Sequence, residues 1–272
     1  MRARVQELSS SARAHYLRGD YQAAAAEYRS ALALAESCVS ELELSTLLNN
    51  FAVVCKYLAH FEEGEQAYRR SLAILENTLG PEHPEVATVY HNLGGLEHAR
   101  RNYGAGEPFA RRSVEIRERA LGPEHPAVAA DLGALAALLD GQSKFAESEQ
   151  IYARVLAIYG KTEGPEGIET GMNLGNLAAV KQAQGKLEEA AGLYRRSLEI
   201  KQRYLGSAHP SVGTTLNNMA VLAHAQGRGE EARSLFRQAL AIIEPALGAE
   251  HPDACRCRAG YEVCGGPGGG GR

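Results

Sequence analysis

The sequence predicts an all-α protein built as a stack of about six helical hairpins. One observation dominates: Leu79-Gly80-Pro81-Glu82-His83-Pro84 returns as Leu121-Gly122-Pro123-Glu124-His125-Pro126, as Leu205-Gly206-Ser207-Ala208-His209-Pro210 and as Leu247-Gly248-Ala249-Glu250-His251-Pro252. An eroded copy, Glu163-Gly164-Pro165-Glu166-Gly167-Ile168, keeps the same 42-residue step. A fixed period of this length marks a stacked array. Between the copies, apolar residues recur at helical spacing. Composition agrees: the 44% apolar content is ample for burial, and the absence of Trp, the 6% aromatic content and the abundance of Ala and Gly suit close helix packing better than a sandwich of sheets.

Each hairpin follows in turn, at about 3–36, 42–78, 84–120, 126–160, 165–203 and 209–246. The first is offset by two residues, because Tyr21 and Tyr28 match Phe61 and Tyr68 at a spacing of 40. In the third, Val86, Val89, Tyr90, Leu93 and Leu96 share one face of the first helix, and Phe109, Val114, Ile116 and Leu121 one face of the second. The connecting phrase is punctuation: Gly80 is expected to end one helix in the left-handed conformation, and Pro84 suits the first turn of the next. After Pro252 the pattern weakens, with Arg258 and Gly260 where Leu216 and Asn218 stand one repeat earlier, so 252–264 is expected to be a degenerate capping helix. The glycine-rich residues 265–272 cannot bury a core and are expected to be disordered; they lack the Lys-Ser/Thr of a phosphate loop.

Two further columns run through the second helices. One is small (Ala24, Gly64, Gly106, Ser148, Ala190, Ala232) and the next, four residues on, is large (Tyr28, Tyr68, Ala110, Tyr152, Tyr194, Phe236). With Leu174, Leu177 and Ala178, or Leu216, Met219 and Ala220, ahead of them, they resemble the tetratricopeptide signature. The 42-residue period and the LGxxHP connection are similar to the repeats of kinesin light chains, over roughly residues 1 to 252. That resemblance implies a right-handed α-solenoid of tetratricopeptide (TPR) hairpins whose work is to hold another protein. It does not imply a motor role, since no heptad coiled coil precedes the repeats.

Other function classes are excluded on chemistry. A net charge of -4 gives no basic footprint for nucleic acid. The most apolar stretch, Ala127 to Leu139, is broken by Asp131 and falls short of the about 20 residues a membrane span needs. The first twenty residues are charged and lack a secretory h-region; five cysteines, an odd number, make no disulfide framework. A cytoplasmic protein is expected. His83, His125, His209 and His251 lie at least one repeat apart, roughly 10 Å or more at packed-helix spacing, too far to share an ion. Cys255, Cys257 and Cys264 match no standard zinc spacing, and no catalytic triad, carboxylate pair or HExxH sequence occurs. No metal, no cofactor and no catalysis are expected. Arg69-Arg70, Arg111-Arg112 and Arg195-Arg196 read as a solvated face, with Glu65 and Glu107 spaced for ion pairs with Arg69 and Arg111.

The candidate site lies on the first helices, which line the concave side of such an array. One column there reads Asn50, Asn92, Ala134, Asn176 and Asn218; the preceding one reads Asn49, His91, Gly133, Gly175 and Asn217. Asn in a helix interior is worse than Ala by about 0.6 kcal/mol, so its recurrence asks for compensation. The resemblance implies that such amides clamp the backbone of an extended peptide. Duplication alone, or a bond to the neighbouring hairpin, is the alternative account of the column. Six residues after the asparagines, Lys56, His98, Asp140, Gln182 and His224 face the same groove and vary as specificity positions do, or as drift does. Three readings stay open: a peptide-binding adaptor, a scaffold using its outer face, and a sensor controlling a separate effector. The partner's identity and the oligomeric state are not encoded in these patterns.

Overall fold

The computed structural model describes residues 1–265, and the expected disorder of the glycine-rich end lies outside the described residues apart from Gly265, which closes the last helix. Thirteen helices and no strand occur among the described residues. They fall into two compact units, Met1–Lys144 and Phe145 onward. The first holds α1 (Arg2–Leu17), α2 (Tyr21–Ala35), α3 (Glu41–Tyr57), α4 (Phe61–Leu79), α5 (Pro84–Ala99), α6 (Tyr103–Leu121) and α7 (Pro126–Gly141). The second holds α8 (Phe145–Thr162), α9 (Ile168–Ala183), α10 (Leu187–Leu205), α11 (Pro210–Ala225), α12 (Gly229–Leu247) and α13 (Pro252–Gly265).

The repeated phrase builds a jointed turn. Gly80, Gly122, Gly206 and Gly248 end α4, α6, α10 and α12 with φ between 83° and 94° and ψ near 153°. This is the positive-φ extended region rather than the left-handed helical conformation expected, and glycine alone enters it readily. Three residues on, the imidazole Nδ1 of His83, His125, His209 and His251 accepts the backbone N–H of Glu85, Ala127, Ser211 and Asp253 at 3.1–3.2 Å. Histidine thus does the work that Ser or Asp usually does at a helix start, satisfying an amide that has no partner inside the helix. The eroded copy starts α9 from Gly167, with no side-chain cap. Ahead of α3 the preceding helix α2 stops earlier, at Ala35, and Ser40 and Glu43 form a reciprocal capping box where the repeated phrase stands elsewhere.

Packing within each unit follows the two columns. Every residue of the small column is buried, and so is every residue of the large one, with Tyr28, Tyr68, Tyr152, Tyr194 and Phe236 each at most 3% exposed. A Cβ on Gly106 would sit 2.6 Å from Leu138 Cδ2, so close approach of α6 to α7 requires the glycine. First helices lie against first helices of the next hairpin, α3 with α5 and α5 with α7 in one unit, α9 with α11 and α11 with α13 in the other. Second helices make no comparably close approach, which puts the first helices on the tighter inner side of each stack. In α13, Ala254 and Cys257 are fully buried. Gly260, expected to weaken this helix, lies where a Cβ would collide with the Phe236 ring, and Arg258 pairs with Glu244 at 2.5 Å.

Candidate partner-binding surfaces

In the first unit, several of the expected groove residues are engaged with one another. Asn92 on α5 donates its Nδ2–H to Asn49 Oδ1 on α3 at 2.8 Å, so the two amides tie neighbouring first helices together. His91 Nδ1 lies 2.7 Å from Asp131 Oδ1 on α7, and the other carboxylate oxygen of Asp131 is 2.5 Å from Arg117 Nε on α6. Asp131 is 1% exposed. A carboxylate so deeply buried needs a counter-charge, and Arg117 supplies it. His91 is therefore half of a helix-to-helix brace, with its ring edge only partly open.

The remaining residues of this surface, Asn50, Lys56, His98 and Asp140, make no side-chain hydrogen bond to the described residues. Asn50 lines a hollow of about 280 Å³ with Arg13, Tyr16, Tyr28, Val53 and Val54. Beside it Tyr16, Tyr21 and Tyr57 cluster, with Tyr21 and Tyr57 stacked at 4.7 Å. Lys56 Nζ sits over the Tyr57 ring at 5.2 Å. His98 meets Tyr103 edge-on at 5.3 Å, and partial burial followed by the nearby Lys56 ammonium lowers its pKa. Lys56 and His98, six residues after successive asparagine positions, thus face one another as their spacing suggests. Asp140 is half-buried, and burial raises its carboxyl pKa.

The second unit differs. Asn176 on α9 is exposed and makes no hydrogen bond to the described residues. Asn218 accepts only a long 3.3 Å bond from Asn217 of its own helix, and Asn217 Oδ1 is buried without a partner among the described residues. Asn218 and Gln182 line a hollow of about 340 Å³ with Ala179, Ala183, Tyr194 and Val221. Gln182 Oε1 accepts the Tyr194 hydroxyl at 3.3 Å. At the far end His224 Nδ1 lies 3.4 Å from Cys264 Sγ, beside an apolar hollow floored by Phe236, Gly260 and Val263. Behind the inner face is a buried lysine: Lys201 Nζ bonds Thr215 Oγ1 at 2.9 Å, and burial pulls its pKa down to about 8. Nothing in the reading of columns pointed to Lys201 or Arg117, although both stand in an otherwise uncharged column with Leu75, Tyr159 and Ile243.

No group of three or more His, Cys, Asp or Glu side chains able to hold a metal occurs among the described residues, and no described helix is long and apolar enough to cross a membrane. Five of the six paired arginines make ion pairs: Arg69 with Glu65 and Arg111 with Glu107 at four residues' spacing, and Arg70 with Glu36, Arg112 with Glu82 and Arg196 with Glu166 across turns.

This architecture has relatives of known structure. A Podospora anserina protein of nearly identical TPR-like repeats, described as of kinesin light chain type, is 25% identical, with 76% of this chain and 98% of that one covered and a TM-score of 0.61. BtubC from P. vanneervenii is 19% identical over 91% of this chain and 94% of its own, with a TM-score of 0.64. A Rap protein complexed with Competence and Sporulation Factor is 12% identical over 96% of this chain and 75% of its own, with a TM-score of 0.63. No curated protein matches the sequence. The sequence profile of the Tetratricopeptide repeat matches residues 43–105, 88–161, 168–244 and 211–262. The fold, the hairpin columns and these matches agree, and the chain belongs to the tetratricopeptide repeat family.

Proposed function

We propose that the protein is a non-catalytic interaction module, an adaptor or scaffold that holds an extended segment of a partner protein along the first helices, with the α9–α11 surface as its main grip. The observation that carries this reading is the state of the amides. Asn176 is exposed with no hydrogen bond to the described residues, and Asn218 stands with Gln182 at the mouth of a hollow of about 340 Å³. A primary amide offers both donors and acceptors, which matches an extended peptide backbone that offers the same in alternation. Small apolar neighbours, Ala179, Ala183 and Val221, leave room for a side chain between the two amides. In the first unit Asn50, Lys56 and His98, with Asp140 beyond them, supply further positions for side-chain selection, while Asn49, His91 and Asn92 hold the helices in place. All five cysteines are free thiols, which suits a reducing cytoplasm.

The test is a pull-down with the intact chain to recover the partner, then affinity measurement on Asn176→Ala with Asn218→Ala. Two lost hydrogen bonds of roughly 0.5–1.5 kcal/mol each weaken binding by about one to two decades. An unchanged affinity removes the amides from the binding surface.

A further inference from the structure

The second unit also has a hollow away from the inner face. It measures about 430 Å³ and opens between the second helices α10 and α12, over α11. Ala191, Met219, Leu222 and Leu235 give it an apolar lining, and Arg195 stands beside them. Its two acidic residues are already engaged, Glu231 with Arg228 at 2.6 Å and Glu188 with the Gln226 amide at 2.8 Å. Arg195 has no carboxylate within ion-pair distance among the described residues; its Nε reaches only the Ala191 carbonyl, at 3.4 Å.

Two register-equivalent hairpins differ at this point. Arg69 has Glu65 four residues before it, and Arg111 has Glu107, at 2.8 and 2.7 Å. At the same offset from Arg195 stands Ala191. Three repeats earlier, the position of Leu235 is Phe109, whose larger ring packs toward Tyr90 at 6.3 Å. Arg195 therefore stands beside the hollow without the internal counter-charge that Arg69 and Arg111 keep, and Leu235 fills less of the space than the Phe109 ring would.

We propose that this hollow is a second binding site, on the outer side of the repeats, which takes the C-terminal residue of a partner polypeptide: an apolar side chain enters between Met219, Leu222 and Leu235, and the terminal carboxylate pairs with Arg195. The chemistry favours a chain end over an internal acidic residue. In an extended chain the next side chain on the same side is two residues on, about 6–7 Å away, whereas the last residue carries its carboxylate and an apolar side chain on one Cα and so brings both into one hollow together. A planar guanidinium is suited to a carboxylate. Glu188 and Glu231 retain acceptor oxygens for the N–H groups of the preceding residues, which a simple fatty acid lacks. The site is separate from the inner-face reading and does not depend on it.

The experiment titrates the full-length protein with acetyl-Gly-Gly-Leu bearing a free carboxylate, with its C-terminal amide, and with octanoate, following backbone amide resonances of α10–α12. The free acid is expected to shift them saturably, with the amide and the Arg195→Gln protein each at least about tenfold weaker. Ala191→Glu, which gives Arg195 the partner seen at Arg69, is expected to abolish binding without lowering the melting temperature, while Asn176→Ala with Asn218→Ala leaves it unchanged. Equal binding of acid and amide, absence of binding by the acid, unaltered binding to Ala191→Glu, or octanoate binding as tightly as the peptide would each overturn the proposal.

Discussion

The same three positions, 84 residues apart, are solved differently in the two units. In the first, His91, Arg117 and Asp131 make a buried charged brace across α5, α6 and α7. In the second the equivalents are Gly175, Lys201 and Thr215. Lys201 keeps a cation in the interior, 7% exposed, but meets a hydroxyl where Arg117 meets a carboxylate. A Cβ at Gly175 would sit 3.2 Å from its Nζ and 2.9 Å from Ser197 Oγ, so the lysine occupies space that a larger residue at the histidine position would need. The contrast teaches that repeats sharing one backbone do not share one stabilisation. One unit fastens its inner helices to each other with side chains that sequence columns would assign to a ligand, and the other leaves those side chains open.

The largest effect expected follows from breaking the charged brace. Asp131→Ala leaves the Arg117 guanidinium buried without its carboxylate and is expected to destabilise the protein by about 3–5 kcal/mol, read from urea unfolding. A loss below about 1 kcal/mol would mean that the brace is dispensable.

Next comes Lys201. Its pKa of about 8 lies below lysine's ordinary value, so the folded protein releases this proton before the unfolded chain does. Between about pH 8 and 10.4 the unfolded state binds more protons, and stability rises with pH across that window; below it the cost of burying the charge is felt in full. The rise is on the order of 3 kcal/mol. Lys201→Met removes the charge while keeping the length, so it should raise stability at pH 7 by about 1–3 kcal/mol and flatten the alkaline rise. Superimposable pH profiles for the two proteins would contradict the burial of a charged amine.

A smaller contrast lies in the aromatic column. The Tyr68 hydroxyl in the first unit is buried with no hydrogen bond to the described residues, whereas Tyr194 in the second donates to Gln182. Tyr68→Phe is expected to be neutral or to stabilise by up to about 1 kcal/mol, and Tyr194→Phe to destabilise by about 1 kcal/mol. Thermal melts of the two variants check the signs.

Much of this molecule was legible in the sequence because its punctuation is local. Gly80 and Pro84, which flank the turn Pro81-Glu82-His83, mark a helix end and a helix start that need no knowledge of the rest of the chain. The small and large columns were equally readable, because residues four apart share a helix face whatever packs against it. The braces were not, because their partners stand 14, 40 and 43 residues apart, off the 42-residue step along which columns are compared: Arg117 reaches Asp131, His91 reaches Asp131, and Asn92 reaches Asn49. A signal was present in Asp131, a lone carboxylate in the most apolar stretch of the chain, and in the cations of the Leu75, Arg117, Tyr159, Lys201 and Ile243 column. Burial turns such exceptions into paired groups, and pairing is a tertiary property.

The central claim is that chemically similar asparagines hold the fold in one unit and hold a partner in the other. The most direct test is a pair of double-mutant cycles, Asn49→Ala with Asn92→Ala and Asn176→Ala with Asn218→Ala, each measured for unfolding free energy and for affinity toward the partner recovered with the wild-type chain. The account predicts a stability coupling of about 1 kcal/mol between Asn49 and Asn92 with partner affinity unchanged, and no stability coupling between Asn176 and Asn218 with affinity weakened at least about tenfold. The reverse assignment, or a stability coupling of equal size in both pairs with no change in affinity, would contradict it.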